Sequence, residues 1–176
     1  MINFEFISEL EGGLALDGYV PDVNNSKSGV TIATGFDLGQ CSVKQLKGMF
    51  PDFIANKLIP YAGVIREEAL DRLSERPLHV SKVIALSIDK VVKRDATERL
   101  IAMYDKDSIH SFKWLCEPAR TVIASVGFQY GSLPRRCPTF WRHAVNDDVE
   151  LMYEELMDFG DKYPTRRKRE ARYLIT

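Results

Sequence analysis

Glu11, Thr31 and Asp37 are the residues of this chain whose types and spacing could together do chemistry. Glu11 closes a short segment in which Ile2, Phe6, Ile7 and Leu10 recur at helical spacing, and the Gly12-Gly13 pair behind it is a strong stop signal. A carboxyl at the C-terminal end of a helix meets the negative end of the helix dipole, and burial adds to the cost of its charge. Both effects favour the protonated form that a general acid needs at neutral pH. Thr31 and Asp37 stand six residues apart, so a straight strand would separate them by roughly 20 Å. A turn at Thr34-Gly35 would instead let the hydroxyl and the carboxylate converge on one water opposite Glu11. An acid on one face of a sugar and an activated water on the other is the arrangement of an inverting glycoside hydrolase. Each residue also has a plain structural reading: a capping or surface glutamate, a strand threonine, an aspartate after a turn.

The elements around these residues divide into two kinds. Residues 14–37 are rich in Gly, Asn, Ser, Val and Thr, with Pro21-Asp22 and Asn24-Asn25 as turn signals and Val30 to Thr34 as the best strand. No other region reads convincingly as β. Beyond Gly39 the pattern is helical almost to the end: 43–50 before Pro51, 66–74, a long stretch 78–104 with Pro77 at its start, 118–129, 147–159 and 165–174. The segment 118–129 is apolar nearly all round and ends at Gly131, which marks it as a central core helix. A small α+β lobe therefore leads into a larger helical lobe, and the fold class is α+β, mostly α.

Composition excludes several classes. The 176 residues are 45% apolar and 28% charged, with 24 Lys+Arg against 25 Asp+Glu, so the chain is a globular protein and neither disordered nor collagen-like. A formal charge of -1 argues against nucleic acid as a partner. The basic run Arg166-Arg167-Lys168-Arg169 reads as a solvated face of a terminal helix. Three cysteines, Cys41, Cys116 and Cys137, are odd in number and without metal-ligand spacing, so neither a disulfide framework nor a metal site is expected. His79, His110 and His143 stand far apart, no serine sits in a nucleophile elbow, and no phosphate loop is present. No transmembrane segment and no signal peptide is read. Phe128, Tyr130, Phe140 and Trp141 could line a sugar-binding groove, with core packing the commoner role of such residues.

The block Glu11-Gly12-Gly13, Gly18-Tyr19-Val20-Pro21 and Ser28 through Gly39 resembles the phage-type lysozyme family, closest to its pesticin-like branch, the muramidase domain of a bacteriocin. The segments Val126 to Gly131 and Gly160 to Arg167 look like later signatures of the same family. The resemblance implies a two-lobed lysozyme-like fold in one catalytic domain, residues 1–176. The small lobe would be 12–60 and the helical lobe 1–11 with 80–176, leaving 61–79 as an unassigned connection. It implies hydrolysis of the β-1,4 bond between N-acetylmuramic acid and N-acetylglucosamine in peptidoglycan, without metal or cofactor. Glu11 would be the general acid and Thr31 with Asp37 would hold the attacking water. Arg166 would be the ion-pair partner of Glu11, and Phe128 and Gln129 would line the groove, with Tyr19 in support. The family's aspartate in the loop before the threonine has its nearest counterpart in Asp22, ranked below Asp37.

Two deliveries fit. The first expectation is a phage endolysin, made in the bacterial cytoplasm and released to the wall through a holin. It draws on Glu11 following a single short helix from Met1. The second is an antibacterial toxin exported by a secretion machine, with a cognate immunity or inhibitor protein. A catalytically inactive peptidoglycan-binding module is the contrasting reading, and retention of Glu11, Thr31 and Asp37 argues against it. The expected partner is the peptidoglycan glycan strand, and the expected state a monomer.

Overall fold

Ten α-helices and one small three-stranded antiparallel sheet make up the chain, which is 64% helical. The computed structural model describes residues 1–176. They fall into two units, residues 11–92 and residues 1–10 with 93–176. Each has its own core of buried apolar side chains.

In the unit 11–92 the sheet has the order β1 (Ala15–Tyr19), β2 (Thr31–Ala33), β3 (Phe36–Asp37). The bend between β2 and β3 is made by Ala33 at φ 55° and Gly35 at φ 91°. Gly35 adopts the left-handed conformation at little steric cost, and the expected turn is there. β1 was not legible, because Asp17 and Gly18 are poor strand formers. Gly18 nevertheless sits in tight packing: a Cβ on it would stand 3.0 Å from Leu78 Cβ and 3.0 Å from Val30 Cγ1.

Helix α2 (Val43–Met49) starts with a capping box in which Ser42 and Gln45 satisfy each other's backbone amides. α3 (Asp52–Leu58) and α4 (Arg66–Glu75) follow. They pack Leu46, Ile54, Leu58 and Ala69 with Val30 and Ile32 of the sheet region. The expected helix over 78–104 begins later, as α5 (Lys82–Asp107). Pro77 does not start it. Residues 78–80 are extended along the free edge of β1, with Gly18 N donating to Leu78 O (2.8 Å) and Val80 N to Leu16 O (2.9 Å). Ser81, whose carbonyl takes the Ala85 amide at 2.9 Å, is the helix start. Covering the edge in this way satisfies β1 backbone groups that would otherwise be open to pairing. The unit thus runs past residue 60 through 61–79 to Val92, because Ala85 and Ile88 are buried in the same core as the sheet.

The other unit contains α1 (Phe4–Leu10), the remainder of α5, and α6 to α10. α6 (Glu117–Tyr130) is central: residues 121 to 127 are all buried, matching the apolar character of the segment. It is followed by α7 (Leu133–Arg136), α8 (Pro138–Val145), α9 (Val149–Met157) and α10 (Pro164–Leu174). α10 packs on α9 and α6, and α1 on α6. Phe140 and Trp141 are core residues at 0% and 5% exposure, which removes them from any groove. No helix is long and apolar enough to cross a membrane.

Two glycines close the sheet region. A Cβ on Gly29 would fall 2.6 Å from Gly39 Cα, and one on Gly39 would fall 2.7 Å from Gly29 Cα. Both obstacles are backbone, which cannot swing aside as a side chain can. Gly29→Ala is therefore expected to cost about 3 kcal/mol, whereas Gly48→Ala on the exposed face of α2, with nothing within 4 Å, is neutral or stabilising. Urea denaturation of the two variants checks this, and equal midpoints would contradict the close approach.

Candidate active site

Glu11 is the first residue after α1 and lies in the turn to β1, half-buried. Its glycine neighbours Gly12 (φ 77°) and Gly13 (φ 110°) both hold backbone angles that favour glycine, which is how the chain reverses within so few residues. The helix ends one residue earlier than its spacing suggested, so Glu11 stands just past the negative end of the dipole.

The register of the sheet brings the other candidates side by side. Tyr19 pairs with Thr31 across β1 and β2, and Thr31 pairs with Asp37 across β2 and β3. Directly opposed residues project to one face with Cβ atoms about 5 Å apart, so Tyr19, Thr31 and Asp37 form a row across the sheet. Tyr19 is 42% exposed and Thr31 only 3%.

Hydrogen bonding assigns the free valences of this row. Thr31 Oγ1 donates its proton to Gly29 O (3.2 Å), leaving its lone pairs as acceptors. Asp37 Oδ1 accepts from Gly29 N and from Gly39 N, both at 2.9 Å. The close approach of these two glycines is what aims two amides at one oxygen. Asp37 Oδ2 takes no partner in the protein. Sequence reasoning placed Asp37 here but missed the clamp, whose only signal was the glycine on either side of the Thr31 to Asp37 segment. Asp22 is occupied otherwise: at φ 41° in an exposed loop, its Oδ1 accepts from Asn25 N (3.2 Å) and Asn25 Nδ2 (2.9 Å).

In the helical unit the last turn of α1 is held residue by residue. Lys93 Nζ donates to Ser8 Oγ (3.0 Å), Arg169 Nη2 to Glu9 Oε2 (2.8 Å), and Arg166 Nη1 to Leu10 O (3.4 Å). Three cations at a helix C-terminus complement its dipole. Leu10 O belongs to the peptide immediately before Glu11. The far end of α1 is capped by Asn3, whose Oδ1 accepts from Phe6 N (3.1 Å) while Nδ2 donates to the Tyr173 hydroxyl (2.9 Å).

The basic run is a solvated face only in its second half: Lys168 and Arg169 are exposed, and the two arginines before them are turned inward. Arg167 is 1% exposed and the Arg166 side chain 14%. The inner face of α10 carries Arg167, Glu170, Ala171 and Leu174, and Glu170, at 0% exposure, separates the two arginines. Its Oε1 accepts from Arg166 Nε (3.1 Å) and Ser125 Oγ (2.5 Å), and its Oε2 from Arg167 Nη1. Arg167 Nε donates to Asp161 Oδ2 (2.8 Å), which also accepts from the Tyr130 hydroxyl (2.7 Å). Burial disfavours the Arg167 charge, but the Glu170 and Asp161 carboxylates more than offset it and raise the pKa. Burial pushes the Tyr130 hydroxyl up to about 12, helped by Asp161. The signal for this network was the i,i+3 and i,i+4 spacing of Glu170 from the two arginines.

Phe128 stacks on Phe4 with ring centroids 6.2 Å apart and is only partly buried, and Gln129 gives its amide oxygen to Arg167 Nη2. Tyr130 is engaged with Asp161 and partly buried in the core. No three His, Cys, Asp or Glu side chains gather into a group that could hold a metal ion.

A model of the family described as "Pesticin: Bacterial toxin homologue of phage lysozyme, C-term" matches residues 1–150. Glu11, Thr31, Asp37, Phe128 and Gln129 lie inside the match, and Arg166 beyond it. No curated protein matches the chain.

Proposed function

We propose, from the premise that the chain belongs to this pesticin family of phage-lysozyme homologues, that it is a muramidase. It hydrolyses the β-1,4 bond between N-acetylmuramic acid and N-acetylglucosamine in peptidoglycan. The observation that carries the reading beyond family membership is the in-register Thr31–Asp37 pair with one carboxylate oxygen clamped and the other free.

The valences of that pair suit a nucleophilic water. Thr31 Oγ1 has spent its proton on Gly29 O and can only accept, and Asp37 Oδ2 can only accept. A water donating one proton to each keeps its lone pairs free for the anomeric carbon, and Asp37 takes up the proton released as the bond forms. Glu11, protonated, delivers a proton to the leaving glycosidic oxygen. Attack from the face opposite the acid is a single displacement with inversion. Arg166 serves this step by holding the Leu10 carbonyl, the peptide from which Glu11 projects. Tyr19, at the exposed end of the row, offers a ring face to a sugar.

Peptidoglycan glycan strands are then the partner and the periplasm the place of action. A phage endolysin released through a holin is one delivery. The family's printed description as a bacterial toxin favours a second: a secreted toxin whose producer carries an immunity protein. Production in a Gram-negative host separates wall chemistry from other toxicity. With a periplasmic export leader the protein is expected to lyse the cells, and without one to leave them intact. Folded protein recovered from the periplasm of unlysed cells would contradict the reading.

A further inference from the structure

Glu170 carries a fully buried carboxylate on the inner face of α10, and its two oxygens have different partners. Oε2 accepts from Arg167 Nη1, and Oε1 from both Arg166 Nε (3.1 Å) and Ser125 Oγ (2.5 Å). Ser125 on α6 is fully buried as well. Having given its one proton to Glu170, its hydroxyl accepts from Arg166 Nη2 (3.1 Å), which also donates to the Ser125 carbonyl (3.2 Å). Glu170, Ser125 and Arg166 therefore close a triangle in which each side chain bonds the other two.

A guanidinium is planar, so fixing Nε and Nη2 fixes where Nη1 points. It points at Leu10 O, the last carbonyl of α1, at 3.4 Å. This is the longest of the Arg166 contacts and too weak to hold a long side chain by itself, so the triangle sets the direction. The triangle is braced from behind. Arg167, which holds Glu170 Oε2, is tied to Asp161 through Nε (2.8 Å), and its guanidinium carbon lies 4.7 Å from the Phe159 ring centroid and 5.4 Å from that of Tyr130. All of these groups belong to residues 1–10 and 93–176. Buried ion pairs are a poor source of stability, since apolar residues of similar volume often serve as well. Apolar residues could not supply a directed donor at the end of α1.

We propose that Glu170 is a positioning residue for the general acid: with Ser125 it sets the plane of the Arg166 guanidinium, and Nη1 then holds the Leu10 carbonyl so that the chain leaves α1 toward Glu11 in one direction. The inference rests on the muramidase reading above, with Glu11 as the acid. Proton delivery to the glycosidic oxygen needs the acid aimed at it, and a misplacement of about 1 Å costs on the order of a hundredfold in rate. Glu170 and Ser125 have no part in holding the sugar, so the effect falls on kcat and not on KM.

The test measures kcat and KM on soluble, peptide-free glycan strands of alternating N-acetylglucosamine and N-acetylmuramic acid, with circular dichroism and the melting temperature to check the fold. Ser125→Ala removes one corner of the triangle at the loss of a single oxygen, and kcat is expected to fall roughly fivefold with KM within about twofold. Glu170→Gln, which breaks the carboxylate's hold on both arginines, should lower kcat about a hundredfold. Arg166→Lys keeps a cation but not the fork that spans Glu170, Ser125 and Leu10 O, and kcat falls there too. Adding Ser125→Ala to Arg166→Lys should then cost no more than about twofold, because the serine acts through the arginine.

If Glu170 and Ser125 only hold the helices together, Ser125→Ala keeps the wild-type kcat, or loses the same factor in the Arg166→Lys background as in the wild type. Either result overturns the inference and leaves the muramidase reading standing. Ser125→Ala decides the matter whether or not Glu170→Gln folds. Folded wild-type protein that leaves the strands intact removes the reading, and the inference with it.

Discussion

Glu11→Gln is expected to leave a folded protein whose peptidoglycan hydrolysis falls about a thousandfold or more. General acid catalysis contributes on the order of 10²–10⁴ in rate, and without a proton donor the sugar must leave as an alkoxide. Glutamine matches glutamate in volume, and the reversal of the chain at Gly12 and Gly13 depends on backbone angles that the substitution does not touch. The melting temperature should therefore stay within a few degrees while activity is lost. Glu11→Asp, which keeps the acid but shortens its reach, should retain more activity than the glutamine variant. Thermal denaturation beside turnover on purified sacculi checks both. A glutamine variant of near-normal rate would remove Glu11 from the chemistry.

Asp37 carries the second large effect, and here the choice of substitution separates two roles. Asp37→Asn retains a carbonyl oxygen for the amides of Gly29 and Gly39, so the clamp survives. Only the free oxygen changes, from an acceptor to an amino group that repels the protons of the water. Activity should fall on the order of 10²–10³-fold, with a stability loss near 1 kcal/mol, the usual gain of a charge over a neutral acceptor in such bonds. Asp37→Ala removes the acceptor for both amides and should be less stable than the asparagine variant by about 2 kcal/mol. If Asp37 only clamps the loop, the asparagine variant is active and the alanine variant alone fails. Asp22→Asn is the control: its carboxylate serves Asn25 in an exposed loop, and activity should stay closer to the wild type. The reverse order of the two aspartates would move the water-holding role to Asp22.

These expectations lean on features that were legible to different degrees. Helices with a Pro or Gly at their boundary could be readable nearly to the residue, as with α6, which Gly131 ends, and α10, which Pro164 opens. The turn that brings Thr31 beside Asp37 was readable because Gly35 tolerates the backbone angle a tight bend needs. β1 and its edge partner at 78–80 were not, since their pairing is decided by contacts between residues about sixty positions apart. Local composition carries no such signal, and Pro77 read locally as a helix start.

The burial of Arg167 was hidden for a related reason. Four consecutive basic residues look solvated until the carboxylates of Asp161 and Glu170 are placed against two of them. A charge goes inside only with its partners, and partner geometry is a tertiary property. The clamp on Asp37 belongs to the same class. Gly29 and Gly39 lie ten residues apart, and nothing short of the folded backbone shows that they touch.

Release of soluble fragments from purified Gram-negative sacculi, with mass spectrometry of the products, tests the central claim most directly. The account predicts disaccharide fragments that end in reducing N-acetylmuramic acid, formed by the wild type and lost with Glu11→Gln. Folded wild-type protein that binds the sacculi and releases nothing, or fragments that end in reducing N-acetylglucosamine, would contradict it.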